Sequence, residues 1–277
     1  MESALHAFIL GIVQGLTEFL PVSSSGHLVI GQNLLGMKDP ELLLDTVLHL
    51  GTLCAAVVFL RPQIMEIIAG LRKLAQAPGS FKTLYENDPG IRWFVLMVIA
   101  SIPTAIIGLS FEDFFESLFG NLLAVGVSLF FTGLLLLATY AVIRQKDRTT
   151  HPITATNGFV MGLAQSIAII PGISRSGITI ATGLFSGLDV TQAARLSFLI
   201  SIPAIVGAVV LQFLKVDSIS QGALAGLLIG FATAALSGYY ALKLLFNLLE
   251  KRRFHLFGFY CLTIGAFTII FSLTAGS

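Results

Sequence analysis

Long apolar runs separated by short polar stretches dominate the chain. A helix needs about 20 apolar residues to cross roughly 30 Å of hydrocarbon. The stretches 42 to 60, 91 to 110, 122 to 143, 193 to 214, 223 to 248 and 256 to 273 each have that length and predict transmembrane helices. Glycine recurs within them, and small residues let helices pack closely. The spans should therefore form a bundle, with glycine-rich faces that could also pack against a second copy as a homodimer.

Two further segments, 4 to 35 and 153 to 187, are apolar but broken midway by proline, glycine and hydroxyl residues: LPVSSSGH from Leu20 and PGISRSGIT from Pro171. Such clusters stop helices. Each segment splits into pieces of about 15 residues, too short to span, and reads as a re-entrant helical hairpin with its tip at membrane depth.

Adding 151 to the residue number superimposes the two segments without a gap. Phe8 meets Phe159, Gly11 meets Gly162, Gln14 meets Gln165, Ser23 meets Ser174, Ser25 meets Ser176, Gly26 meets Gly177 and Gly36 meets Gly187. The chain is therefore expected to be a duplication within one membrane domain. Residues 1–150 hold the hairpin 4–35 and three spans, and residues 151–277 hold the hairpin 153–187 and three more. An odd number of spans between the hairpins inverts the second repeat. The expected fold is all-α integral membrane: six transmembrane helices plus two re-entrant hairpins in an inverted-topology repeat.

Composition agrees with this reading. Of 277 residues 55% are hydrophobic and 11% charged, the net charge is +1, and the mean hydropathy is +0.89. That excludes a broad basic face for nucleic acid and a disordered chain. Cys54 and Cys261 lie in apolar runs, without the spacing of a disulfide framework or Cys metal site. Glu2 and His6 stand where a signal peptide would carry Lys or Arg, so the N-terminus is expected to belong to the fold. Most Lys and Arg fall in the loops 61 to 92, 144 to 152 and 249 to 255, including Arg61, Lys73, Arg92, Lys146, Arg148 and Arg252, whereas Lys38 and Lys215 fall on the other side. The loop 111 to 120 carries Glu112, Asp113 and Glu116 and no cation. Cytoplasmic loops are the basic ones. Both termini should face outward, and hairpins entering from opposite sides should meet near the midplane.

An ionisable group at that depth costs about 2.5–3.5 kcal/mol and needs a partner or a use. Glu18 ends the first half-helix with Gln14 one turn behind, and Arg175 occupies the second tip. One reading is an ion pair that merely pins the hairpins. The neighbours favour another. Ser23, Ser24, Ser25 and Gly26 precede one half-helix, and Ser174, Ser176 and Gly177 precede the other. Helix N-termini offer unpaired N–H groups and partial positive charge, and arginine offers a planar fork for phosphate oxygens. His27 and Thr179 could reach the same space. Asp45 and His49, one turn apart, form either a local pair or part of the access to the site, while Gln165 either binds Arg175 or satisfies unwound backbone. No Gly-rich nucleotide loop follows a strand, and no haem, flavin or zinc ligand set is present.

The segments QGLTEFLPVSSSGHL (Gln14 to Leu28) and PGISRSGITIATG (Pro171 to Gly183) closely resemble the two motifs of the bacterial undecaprenyl-diphosphate phosphatase family, also called bacitracin-resistance proteins. The resemblance implies hydrolysis of the C55 lipid carrier, undecaprenyl diphosphate, to its monophosphate at the outer face of the cytoplasmic membrane, recycling it for cell-wall synthesis. It also implies a divalent cation, Mg²⁺ or Ca²⁺. Carried over by position, the acidic motif falls on Gln14 and Glu18, which would hold the cation. The serine-rich turn falls on Ser23, Ser24, Gly26 and His27, and the arginine loop on Gly172, Ser174, Arg175, Ser176 and Thr179. Where Gln14 replaces a second carboxylate, the cation would lean on Glu18, phosphate oxygens and water.

Under this reading Glu18, Ser24, His27 and Arg175 are catalytic, and Ser23, Ser25, Gly26, Gly172, Ser174, Ser176 and Thr179 hold substrate, with Ser23 as N-cap. Either Ser24 attacks phosphorus, with Glu18 or His27 as base, or Glu18 and the cation orient an attacking water. A secondary transporter is the rival, since broken helices in inverted repeats mark that class; a purely structural subunit is the third reading.

Overall fold

The computed structural model describes residues 2–37, 42–145, 150–214 and 224–275. Among the described residues all regular structure is helical. The helices are α1 (Glu2–Phe19), α2 (Ser24–Leu34), α3 (Leu42–Phe59), α4 (Arg61–Gln76), α5 (Phe81–Asn87), α6 (Pro89–Ser110), α7 (Glu112–Phe119), α8 (Leu122–Ile143), α9 (Ala155–Ile167), α10 (Arg175–Phe185), α11 (Val190–Leu214), α12 (Leu224–Glu250) and α13 (Leu256–Ala275).

Five of them, α6, α8, α11, α12 and α13, are long and apolar enough to cross a membrane. The expected span 42 to 60 is α3, which meets that criterion only together with α4, bent from it by 75°. The bend follows from Pro62 in the first turn of α4, where a proline has no N–H to continue the preceding helix. The stretch 61 to 92, expected as a loop, is helical through most of its length, and the acidic loop 111 to 120 folds as α7. Lys38, Lys146, Arg148 and Lys215, used above to orient the chain, lie outside the described residues.

Polar caps set several helix starts. Asp88 accepts the N–H groups of Gly90 and Ile91 at 2.9 and 3.2 Å, with Pro89 as the first helical residue of α6. Asn121 accepts Ala124 N–H at 3.0 Å, and Thr154 and Asn157 form a reciprocal capping box on α9. Large side chains on the outer faces of the spans, such as Ile106, Leu236 and Phe267, are exposed. A contiguous apolar exterior of that kind suits hydrocarbon as its solvent.

The broken segments do form helical pairs, α1 with α2 and α9 with α10, each closed by a glycine at positive φ, Gly36 (74°) and Gly187 (91°), at the expected offset of 151. The pairs are exchanged between halves: α1 packs on α12, and α9 packs on α6. Repeat-related glycines make both contacts close. A Cβ on Gly11 would stand 2.7 Å from Gly230 O, and one on Gly162 would stand 2.4 Å from Ala100 O. In lipid, where helices gain nothing from hiding apolar surface, such backbone approach is a main source of association. Phe19 at the end of α1 meets Phe198 of α11 edge-on, centroids 5.8 Å apart, so the first tip rests on the second half's core.

Candidate active site at the junction of the two hairpins

The break after α1 is short, and its last residue, Ser23, is held at φ 67°, ψ 95°. For a residue with a Cβ this conformation costs about 1–3 kcal/mol and persists only where neighbours over-determine it. They do. Ser23 Oγ accepts Gly172 N–H of the other hairpin at 3.1 Å and, at 3.4 Å, Gly26 N–H of its own helix, the expected N-cap. The Ser23 carbonyl accepts His27 N–H at 3.2 Å and His27 Nδ1 at 2.8 Å.

The second tip is fixed by α8. Thr132 Oγ1 accepts Ser174 N–H and donates to Gly172 O, both at 3.1 Å. Gly172 has φ 95°, and a Cβ there would lie 2.4 Å from Val125 O, so only glycine fits. Ser174 Oγ caps α10 by accepting Gly177 N–H at 3.1 Å. Ser176 Oγ donates across to Leu20 O at 3.3 Å. The tips touch at Gly26, where a Cβ would approach Gly172 Cα to 3.2 Å.

Glu18 lies between them, its side chain 4% exposed. Arg175 pairs with Oε1. On Oε2, Ser24 Oγ donates at 2.5 Å and Gln14 Nε2 at 2.9 Å, and His49 Nε2 stands 3.9 Å away. A buried carboxylate is tolerated only with this density of donors. The structure thus unites Gln14, Glu18, Ser24 and Arg175 in one cluster, with Ser23, Gly26, Gly172, Ser174 and Ser176 as its frame; Ser25 Oγ lies 3.3 Å from Ser23 Oγ.

Two of the expected site residues point elsewhere. Thr179, expected among the substrate ligands, gives its hydroxyl to Arg175 O at 2.7 Å and shares it with Ser197 Oγ at 2.6 Å, bracing α10 against α11. His27 has both ring nitrogens engaged. A carbonyl can only accept, so Nδ1 carries the hydrogen toward Ser23 O, and Nε2 of the neutral ring accepts the Tyr260 hydroxyl at 2.7 Å. Of the two bases considered for Ser24, Glu18 is the one in contact with it. Gln165 turns from Arg175 and donates to Thr104 Oγ1 and Ile200 O at 3.2 and 3.3 Å, the latter a carbonyl in the turn before Pro203. The Asp45 carboxylate takes Gln32 Nε2 at 2.8 Å, while His49 Nδ1 bonds the Asp45 carbonyl at 2.7 Å. The pair expected from spacing is therefore a backbone contact that aims the imidazole at Glu18.

Sequence reasoning missed Thr132 and Tyr260. Both come from spans far along the chain, and neither has a local signal beyond being polar in an apolar run. Cys261 adds a 3.4 Å contact from its thiol to Pro21 O.

Among the described residues no group of three or more His, Cys, Asp or Glu could hold a metal ion. What the cluster offers is the Glu18 carboxylate and Gln14 Oε1, a buried oxygen without a hydrogen-bond partner. Two such oxygens fit a hard cation when water, or water and phosphate oxygens, complete its shell, as is usual for Mg²⁺.

Comparison with known proteins gives a consistent result. The sequence profile described as Bacitracin resistance protein BacA matches residues 7–267. A protein of Desulforapulum autotrophicum named undecaprenyl-diphosphatase is 42% identical over 270 residues, 96% of this chain and 98% of its own. One of the same name from Desulfatibacillum aliphaticivorans is also 42% identical over 270 residues, with the same coverage. Another so named, from Methanobrevibacter smithii, is 41% identical over 273 residues, 98% of each chain.

Proposed function

The chain belongs to the family of bacitracin resistance protein BacA, and we propose that this multi-pass membrane protein hydrolyses undecaprenyl diphosphate to undecaprenyl monophosphate and inorganic phosphate. The observation that carries the reading is the Ser24 hydroxyl on the Glu18 carboxylate beside Arg175: a nucleophile, its base and a phosphate-binding fork in one buried cluster.

The residues support this sequence of steps. Arg175 and the N–H groups at the starts of α2 and α10 bind the diphosphate and neutralise its charge, which is most of what phosphoryl transfer requires. Ser24 Oγ attacks the terminal phosphorus as its proton passes to Glu18. The Oγ–P bond forms, the bridging P–O bond breaks, and the lipid monophosphate leaves with the bridging oxygen. Glu18 then passes that proton to the departing lipid phosphate. Water attacks the phosphoserine, Glu18 accepts its proton and returns it to Ser24 Oγ as the O–P bond to serine breaks, so phosphate departs with Ser24 and Glu18 both restored. His27, held by Ser23 and Tyr260, takes no part in the step at Ser24. A divalent cation held by Glu18 and Gln14 with phosphate oxygens would supply further neutralisation of the developing charge.

Both hairpins are read as re-entrant, entering from opposite faces as halves of an inverted repeat, and the exchanged packing of α1 and α9 supports that reading. The basic loops set the cytoplasmic side, so the site opens outward, where the released carrier lipid re-enters cell-wall synthesis and bacitracin would compete for the diphosphate. Phosphate release from undecaprenyl diphosphate by the purified protein in detergent, with no gradient present, tests the reading. A transporter would release none.

A further inference from the structure

The sequence LDTVLHLG puts His49 in the second turn of α3, four residues after Asp45, and α3 packs along α1. His49 Nδ1 lies 2.7 Å from the Asp45 carbonyl, which can only accept, so Nδ1 carries hydrogen and the ring turns Nε2 toward Glu18. Nε2, a lone-pair donor whenever it carries no proton, stands 3.9 Å from Glu18 Oε2. One turn before Glu18, Gln14 Oε1 is buried with nothing to accept. A half-turn of the amide brings it to where Nε2 now stands, 2.9 Å from Glu18 Oε2. His49 Nε2 and, after that half-turn, Gln14 Oε1 thus both face Glu18 Oε2, the oxygen that accepts from Ser24 and Gln14.

We propose that His49 Nε2 is a ligand of the divalent cation, with Glu18 Oε2 and Gln14 Oε1; this rests on the cation-assisted phosphatase reading above. The spacing is within reach. Two ligands each about 2.1 Å from one ion lie at most about 4.2 Å apart, so an ion fits between atoms 3.9 Å apart once the Ser24 and Gln14 hydrogens turn away, and an approach of about 1 Å brings the two to adjacent octahedral positions. The outer shell is also in place, because metal-bound histidines donate their other N–H to a carbonyl or carboxylate. Here that carbonyl is itself steadied, since Gln32 of α2 holds the Asp45 side chain at 2.8 Å. Arg175 engages Oε1 and, among the described hydrogen bonds, gives none to Oε2. An imidazole ligand widens the choice of ion. Calcium and magnesium seek oxygen, whereas imidazole admits first-row transition ions, and Mn²⁺, which also suits carboxylate and carbonyl oxygen, accepts this mixed set. The nitrogen compensates for the carboxylate that Gln14 does not supply.

The test uses the full-length protein in detergent, stripped with chelator, with Mn²⁺ as the sole addition and no lipid substrate. Pulsed electron paramagnetic resonance of bound Mn²⁺ should show one directly coordinated nitrogen, which shifts to the ¹⁵N frequency when the protein carries [¹⁵N]histidine. In His49→Gln the coupling should vanish and Mn²⁺ affinity should fall by at least about tenfold. The proposal is overturned if the unmodified protein binds no Mn²⁺, if bound Mn²⁺ shows no nitrogen coupling, or if the coupling survives in His49→Gln. The unmodified protein alone decides the first two outcomes, so a misfolded variant cannot mask the answer. Phosphate release, measured separately, reports on the phosphatase reading and not on this ligand.

Discussion

The hydroxyl of Ser23 in the first hairpin accepts the backbone N–H of Gly172 in the second at 3.1 Å, across 149 residues of chain. Neither turn is stable in isolation: Ser23 is in the left-handed region, and Gly172 needs φ 95° and the space a Cβ would fill. Each tip is the other's support, so the site exists only when both halves have folded.

Comparing two glycine variants tests how closely the second tip fits against α8. Gly36→Ala, at φ 74° with nothing within 4 Å, should lose only the about 1–2 kcal/mol of a left-handed residue. Gly172→Ala adds a clash at 2.4 Å with Val125 O. Its melting temperature in detergent should fall distinctly further, and equal losses would contradict that close fit.

Arg175 carries two duties that substitution separates. Arg175→Ala leaves Glu18 buried without its counter-charge, which should cost about 3–5 kcal/mol along with activity. Arg175→Lys restores the charge without the planar fork. It should recover most of the thermal stability while phosphate release stays at least about tenfold below the unmodified protein. Near-full turnover in Arg175→Lys would mean that charge alone suffices.

The adjacent serines should behave differently although their chemistry is the same. Ser24 donates to Glu18, whereas Ser25 makes only a 3.3 Å contact with Ser23 among the described hydrogen bonds. Ser24→Ala should lower turnover by about 10²-fold or more, and Ser25→Ala by about threefold or less. Should Ser24→Ala retain a tenth or more of the activity, water would be the attacking group, with Glu18 as its base.

Much of this site was legible before any coordinates, for one reason: a charge inside an apolar run must be explained. Glu18 and Arg175 stand out on that ground, and the Pro-Ser-Gly breaks mark the hydroxyls around them. Which way a side chain turns is not written in the same pattern. Thr179 follows Arg175 by one helical turn and reaches Ser197 of α11, a span whose rotation the sequence does not encode. The local pair of His49 with Asp45 forms, but through the Asp45 carbonyl, which turns the ring toward Glu18. Tyr260 lies 233 residues from His27, and only the packing of α13 brings them together. The sixth span was counted from apolar length, which says nothing of the turn that Pro62 imposes after Leu60.

A pH dependence follows from Asp88, which caps α6 outside the spans. The hydrogen bond from Lys73, at 2.7 Å, holds its carboxyl below the usual range, aided by the N–H groups of Ile91 and Gly90 and opposed by burial. A depressed pKa contributes stability that is complete above the ordinary carboxylate value and disappears as pH falls through the lower, folded value. The melting-temperature gap between the unmodified protein and Asp88→Ala should be widest near neutrality and narrow as pH drops from about 5 to below about 3. A gap that does not change with pH would contradict this role.

The most direct measurement is an experimental structure with a non-hydrolysable diphosphate lipid bound. The analogue's terminal phosphorus should lie about 3–3.5 Å from Ser24 Oγ, in line with the bridging oxygen, with the Arg175 guanidinium on its phosphate oxygens and the lipid chain leaving between helices. An analogue bound elsewhere, with the Glu18 and Arg175 pair undisturbed and closed to it, would contradict the account.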